Sequence, residues 1–225
     1  MKVPPVVWIE PEQVEIPAEL VEKLGSNGLL TRTLAQRGIR NYPQAQAFLD
    51  PRYYRPGNPV DLPDLARGVD RIQAAIEKRE KIGVWGDFDV DGQTATTLLV
   101  AVLEELGAKV AYHIPVRAAE SHGINLPGLA KMIDAGAKVI LTCDTGISAH
   151  DAADYCHSRG VDLVITDHHS LPESLPDALA VINPQRLPPL HPLGSLPGVG
   201  TAYVFARELC ARFNSVQQAD RHLDL

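Results

Sequence analysis

The chain has 225 residues, 45% of them hydrophobic, enough for one packed domain with a small extension. With 21 Lys and Arg against 28 Asp and Glu it carries a net charge of −7. That charge does not advertise a nucleic-acid binder, although bound divalent cations would offset part of it and a nucleic-acid groove needs only a local basic stripe. Three widely spaced cysteines, Cys143, Cys156 and Cys210, exclude a disulfide framework and a CxxC zinc ribbon and fit a reducing compartment. No apolar run approaches transmembrane length, and Met1-Lys2-Val3-Pro4-Pro5 lacks the apolar core of a signal peptide, so a cytoplasmic location is expected.

Residues 1–60 read as a helical leader and 61–225 as the main domain. In the leader, 29–37 is a short helix before Gly38, and 42–49 is another, ended by Asp50-Pro51. The turn-rich segment 52–59 mixes Arg52, Tyr53, Tyr54 and Arg55. It reads either as a linker packed on the main domain or as a nucleic-acid contact, since Tyr and Arg can stack on bases.

From Asp64 the pattern is regular. Residues 65–79 have helical spacing, with Leu65, Val69, Ile72 and Ile76 on one face. Strands follow at 81–85, 109–114, 138–142, 162–166 and 180–182; helices lie at 93–106, 126–135, 149–159 and 201–212. Gly107, Gly136 and Gly160 stop three of the helices. Alternating strands and helices predict an α/β fold, a βαβ domain on a parallel sheet, preceded by the small helical extension.

Three polar runs each follow a predicted strand: Gly86-Asp87-Phe88-Asp89-Val90-Asp91-Gly92, Cys143-Asp144-Thr145-Gly146 and Asp167-His168-His169. In a parallel sheet the carboxyl ends of the strands share one edge, where ligands bind, so these runs should converge. Asp87-x-Asp89-x-Asp91-Gly92 has three readings. An EF-hand loop needs a Glu at its twelfth position, which here is Leu98, and a preceding helix rather than a strand. An aspartyl nucleophile of the haloacid-dehalogenase type wants a later Lys and paired acids. A carboxylate cluster for divalent metals uses every strand-end acid and is the reading adopted, because so many acids at one edge would repel unless a cation held them. Ser148 and Cys143 lack the base-and-orienter pairing of an activated nucleophile.

Taken in order, these motifs resemble those of the DHH phosphoesterase superfamily and, within it, the RecJ single-strand exonucleases. The resemblance extends to Ile182-Asn183-Pro184, to Leu196-Pro197-Gly198-Val199-Gly200 and to the leader, with Arg37-Gly38-Ile39 and Ala47-Phe48-Leu49-Asp50-Pro51. It implies two Mn²⁺ or Mg²⁺ ions. Asp89 and Asp91 match metal ligands, Asp144 the carboxylate bridging both ions, and His168 a ligating histidine. Asp167 would ligate or orient an imidazole, His169 would ligate or touch substrate, and Asp87 stands where many relatives have His. Arg117 is the candidate contact to a substrate phosphate. His122, where RecJ-like chains have Tyr, is a candidate substrate contact.

The segment at 220–225 resembles the beginning of one that supplies a further metal-binding Asp in relatives, and the DHH-associated and OB domains of RecJ are not in this chain, so a truncated form is expected. The implied activity is 5′-to-3′ hydrolysis of single-stranded DNA to 5′-mononucleotides in repair and recombination. The expected protein is a monomer, with a single-strand-binding protein or a helicase as candidate partner. Two alternatives stand beside it: a phosphodiesterase of short oligonucleotides or cyclic dinucleotides, and an inactive replication scaffold.

Overall fold

The computed structural model describes residues 7–8, 13–25, 28–55, 57–120 and 123–222. The chain forms two compact units, Met1–Pro56 and Gly57–Leu225. The first holds α1 (Ala18–Leu24), α2 (Gly28–Gln36) and α3 (Tyr42–Leu49). Its small core is Leu20, Leu34, Ile39 and Ala45. Gly38, at φ 79, ends the turn after α2, and the Asn41 side chain caps α3 by accepting from Gln44 N at 3.0 Å.

The second unit is a five-stranded sheet. In chain order it contains α4 (Leu65–Glu77), β1 (Lys81–Trp85), α5 (Val90–Glu105), β2 (Lys109–His113), the one-turn α6 (Arg117–Glu120), α7 (Leu126–Asp134), β3 (Ala137–Cys143), α8 (His150–Ser158), β4 (Asp162–Thr166), β5 (Ala180–Ile182), α9 (Gly198–Arg212) and α10 (Val216–Asp220). The strand order is β2-β1-β3-β4-β5, every pairing parallel. The expected α/β architecture is therefore the observed one.

Alternate residues of each strand face opposite layers. Ile82, Val84, Val139, Leu141, Cys143 and Val164 join one core with the buried faces of α4, α5 and α9. Trp85, Ile140, Leu163 and Ile165 join the other, beneath α7 and α8. The expected face of α4 is the buried one: Leu65, Val69, Ile72 and Ile76. Gly68 lets that helix approach closely, since a Cβ there would lie 2.8 Å from Ile182 Cδ1. Asp64, at φ 61, ties the start of α4 to the sheet by accepting from Val181 N at 3.2 Å and from Arg186 Nη1 at 2.6 Å.

Two helices begin three residues earlier than their apolar periodicity indicates. Helix α5 starts at Val90 and α9 at Gly198, so the first polar run and the Pro-Gly-Val-Gly segment each lie at a helix N-terminus. Helices α1, α6 and α10 were not anticipated; all are short, with little periodicity to detect. Among the described residues, no helix is long and apolar enough to cross a membrane.

Leu141 is fully buried on the central strand β3. Leu141→Ala should lower unfolding stability by about 2–5 kcal/mol, the cost of lost burial plus a partly collapsed cavity. Urea denaturation followed by circular dichroism measures it.

Candidate metal centre

With β1 between β2 and β3, the chain leaves β1 toward one edge and returns on its other side at β3. A sheet of this order opens a crevice beyond the carboxyl ends of β1 and β3. The three polar runs follow β1, β3 and β4, and they line a cavity of about 690 Å³ there.

Asp144 sits at its centre. It is 1% exposed and adopts φ 60, a left-handed conformation uncommon outside glycine. Its backbone N–H donates to Thr166 O at 3.0 Å, pinning the turn to β4. The turn is held further by Thr142 Oγ1, which donates to Thr145 O at 2.7 Å. Gly198, the first residue of α9, backs directly onto this side chain; a Cβ there would meet Asp144 Cβ at 2.6 Å.

Two sets of donor atoms share Asp144. One comprises Asp87, Asp89 and Asp144; the other comprises Asp144, His168 and His169; in each, all ligand atoms lie within 4.8 Å of one another. Asp87 Oδ1 and Asp144 Oδ1 are buried without a hydrogen-bond partner. His168 Nε2 approaches Asp144 Oδ1 at 3.0 Å, an ion-pair distance outside hydrogen-bonding alignment. A buried carboxylate oxygen with no partner is costly, and carboxylate oxygens with imidazole nitrogens are the donors that Mn²⁺ and similar divalent cations take. The residues present therefore fit a divalent cation on each side of Asp144.

The electrostatics agree. Burial first, then the charges of Asp91 and Asp89, push the Asp144 carboxyl up to about 8. Burial also opposes the charge of Asp167, but the His169 ring and backbone N–H groups outweigh it and hold that carboxyl below the usual range. Asp167 Oδ1 accepts from His168 N at 2.7 Å and His169 N at 3.1 Å, and lies 2.7 Å from His169 Nδ1; its Oδ2 accepts from Ile147 N at 2.9 Å. The Asp167 hydrogen bond raises His169 to about 9. With Nδ1 engaged by Asp167, Nε2 of His169 is the nitrogen left for a ligand. Asp167 is in neither donor set; its contacts orient His169.

Asp89 and Asp91 also hold helices. Asp89 Oδ1 accepts from Gly92 N at 3.0 Å, capping α5. Asp91 accepts from Gly198 N at 2.8 Å and Val199 N at 2.7 Å, so it caps α9, 107 residues away. Asp91 Oδ2 is also 3.5 Å from His168 Nε2, beside the second donor set but outside it. Gly92 permits the tight entry into α5, because a Cβ would meet the Asp87 backbone carbonyl carbon at 2.7 Å.

Of the other expected contacts, the Arg117 guanidinium stacks 4.4 Å from the ring centroid of Phe88, on the cavity wall. His122 lies outside the described residues. Cys143 is no nucleophile: burial pushes its thiol up to about 12. Sequence reasoning overlooked Asn183, a fully buried residue whose Nδ2 donates to His169 O at 3.0 Å. Its place in Ile182-Asn183-Pro184, straight after β5, was the available signal.

Comparison with known proteins agrees with this geometry. The model of the DHH family, N-terminal domain, matches residues 81–222, and the chain belongs to that family. It is 34% identical over 202 residues to the single-stranded-DNA-specific exonuclease RecJ of Bacillus subtilis (strain 168), covering 88% of this chain and 25% of that protein. The crystal structure of exonuclease RecJ bound to manganese superposes with a TM-score of 0.63 and 31% identity, over 68% of this chain and 38% of that one. RecJ of Thermus thermophilus in complex with Mn²⁺ gives a TM-score of 0.65 and 27% identity, over 87% of this chain and 27% of that one. The chain thus spans about a quarter of the length of the Bacillus relative.

A carboxyl raised from 3.8 to about 8 takes up protons in the folded state that the unfolded state has released. Asp144 is therefore neutral in its effect at low pH and increasingly destabilising as pH rises from about 4 to 8 in cation-free protein. In EDTA, Asp144→Asn should melt above the parent chain, by a margin that grows across that window and levels off beyond it. Thermal melts at a series of pH values measure it; a constant margin would contradict this repulsion.

Proposed function

We propose that the chain hydrolyses phosphodiester bonds of single-stranded DNA, proceeding from the 5′ end and releasing 5′-mononucleotides, with two divalent cations, Mn²⁺ or Mg²⁺, at the strand-end cluster. The observation that carries this reading is the pair of donor sets sharing a buried Asp144 whose Oδ1 accepts no hydrogen bond. The similarity to RecJ exonucleases supports the substrate class. Repair and recombination, in the cytoplasm, are the setting this activity fits, with a single-strand-binding protein or a helicase as the protein partner.

Asp87, Asp89 and Asp144 would hold one cation; Asp144, His168 and His169 would hold the other, with Asp91 adjacent. When bound, such cations polarise the phosphate and lower the pKa of a water to near neutrality. The chain's own residues do the rest. Asp167 fixes the ring of His169 and the nitrogen it presents. Arg117, held against Phe88, offers a planar pair of donors to a substrate phosphate. The N-termini of α5 and α9 add partial positive charge where carboxylates and a phosphate must coexist.

The test is Mn²⁺-dependent digestion of 5′-phosphorylated, 3′-labelled single-stranded DNA by the chain, with Asp144→Ala as the blank. Stepwise loss of mononucleotides in the parent and at least about a thousandfold loss in the variant are expected, since one substitution removes a ligand from both cations. Near-parental turnover by Asp144→Ala would sink the two-cation reading. Arg117→Ala should raise KM on 5′-phosphorylated DNA more than on 5′-hydroxyl DNA, by about tenfold, the loss of one charge-assisted contact. Equal effects on both substrates would remove Arg117 from that role.

A further inference from the structure

The N-terminal unit has a charge and surface that its own fold does not explain. Residues 28–55 contain five arginines (Arg32, Arg37, Arg40, Arg52 and Arg55) and a single acid, Asp50, with no lysine. That stretch is net +4 in a chain of net −7, which leaves −11 on everything else. All five arginines are exposed. Asp50 is engaged by Arg52, whose Nε lies 3.0 Å and Nη2 2.5 Å from its carboxylate oxygens. Among the described residues, Arg32, Arg37, Arg40 and Arg55 make no ion pair.

The same stretch exposes large rings. Phe48 is 56% exposed, Tyr53 44% and Tyr54 48%, while the unit's core is built from Leu20, Leu34, Ile39 and Ala45 without them. Cations and rings are already associated: the Arg37 guanidinium lies 5.8 Å over the Phe48 ring. Arg55 Nη1 donates to Arg52 O at 3.2 Å and Tyr54 O at 3.0 Å, which stiffens the turn that presents Tyr54.

We propose that this basic, aromatic surface of the N-terminal unit is a binding site for single-stranded DNA, with the four unpaired arginines contacting phosphates and Phe48 and Tyr54 stacking on bases. The proposal rests on the reading of single-stranded DNA as substrate. The combination selects this occupant. A polyanion satisfies the arginines, and among polyanions a strand with unpaired bases is the one that stacks on exposed rings. Arg52 is left out of the phosphate set because Asp50 neutralises it. An anionic protein partner would meet the charge, but Arg37 beside an exposed Phe48 offers a cation and a ring together, the pairing that backbone contact plus base stacking uses on a single strand.

The test is fluorescence anisotropy of a labelled oligothymidylate with the 225-residue chain in EDTA, across a salt series, so that no hydrolysis contributes. Replacing Arg32, Arg37, Arg40 and Arg55 together by Gln should weaken binding at low salt by about tenfold or more and flatten the slope of log affinity against log salt by up to about 3. The four-Lys counterpart should keep most of that slope. Phe48→Leu with Tyr54→Leu should weaken binding by about fivefold or more with the slope retained. Unaltered melting temperatures identify these as surface effects. Unchanged affinity in the Gln and Leu variants, no binding by the parent chain, or equal affinity for blunt duplex overturns the proposal. Loss of single-strand binding in the variants while Mn²⁺-dependent digestion is absent from the parent supports this surface and counts against the hydrolase reading alone.

Discussion

The buried carboxylate of Asp144 is the constraint around which the site is arranged. It stands at the end of the central strand in a left-handed backbone conformation, with Asp89 and Asp91 near enough to raise its proton affinity. Burial removes the water that would separate these charges, so the cluster without counter-charge favours a protonated Asp144. The protein answers with what the chain can supply: helix N-termini, the imidazolium of His169, and backbone N–H groups directed at Asp91 and Asp167. These reduce the repulsion without satisfying Asp144 Oδ1 or Asp87 Oδ1. The donors left unmet, carboxylate oxygens beside imidazole nitrogens, are the kind that divalent cations take.

Two acids of the first run, Asp89 and Asp91, each serve two ends. Asp89 caps the helix that follows β1, and Asp91 caps a helix that enters the sheet far later in sequence. Because α9 packs on the same core as α5, the placement of two helices depends on carboxylates that also face the cluster. Gly198 completes this arrangement, since any side chain there would occupy the space of the Asp144 carboxylate. Charge at the cluster and packing of the α4, α5 and α9 layer are therefore coupled through a few backbone N–H groups.

The strand–helix alternation was legible because local chemistry and periodicity agree. Gly107, Gly136 and Gly160 follow three helices and take φ values of 80, 99 and 62, the conformation that ends a helix most cheaply with glycine. The strand-end acids were legible because a parallel sheet gathers them whatever their separation in sequence. The start of α5 was not, since Asp-x-Asp-x-Asp-Gly has the composition of a loop and becomes a helix start through Asp89 at its cap. The start of α9 was not, because Pro and Gly argue against a helix until Asp91 and Asp144 are placed beside them. No spacing rule connects Asp91 to Gly198, and none separates Asp167, turned to backbone and His169, from acids left to bind a cation. Those distinctions belong to tertiary contacts.

Net charge alone misleads for this chain, because its charge is unevenly distributed. Much of the acidity belongs to ordinary surface, and the part at the strand ends is matched to small cations. A basic excess of +4 lies in residues 28–55. At physiological ionic strength charges are screened beyond about 8 Å, so a phosphate near the exposed arginines responds to them rather than to the distant sum. The same screening hardly reaches Asp144, which is buried. Salt should therefore act strongly on the proposed strand binding and weakly on the cluster, whereas pH acts on the cluster through Asp144. The two kinds of charge answer to different variables, so salt and pH series read the proposed strand binding and the proposed hydrolysis separately.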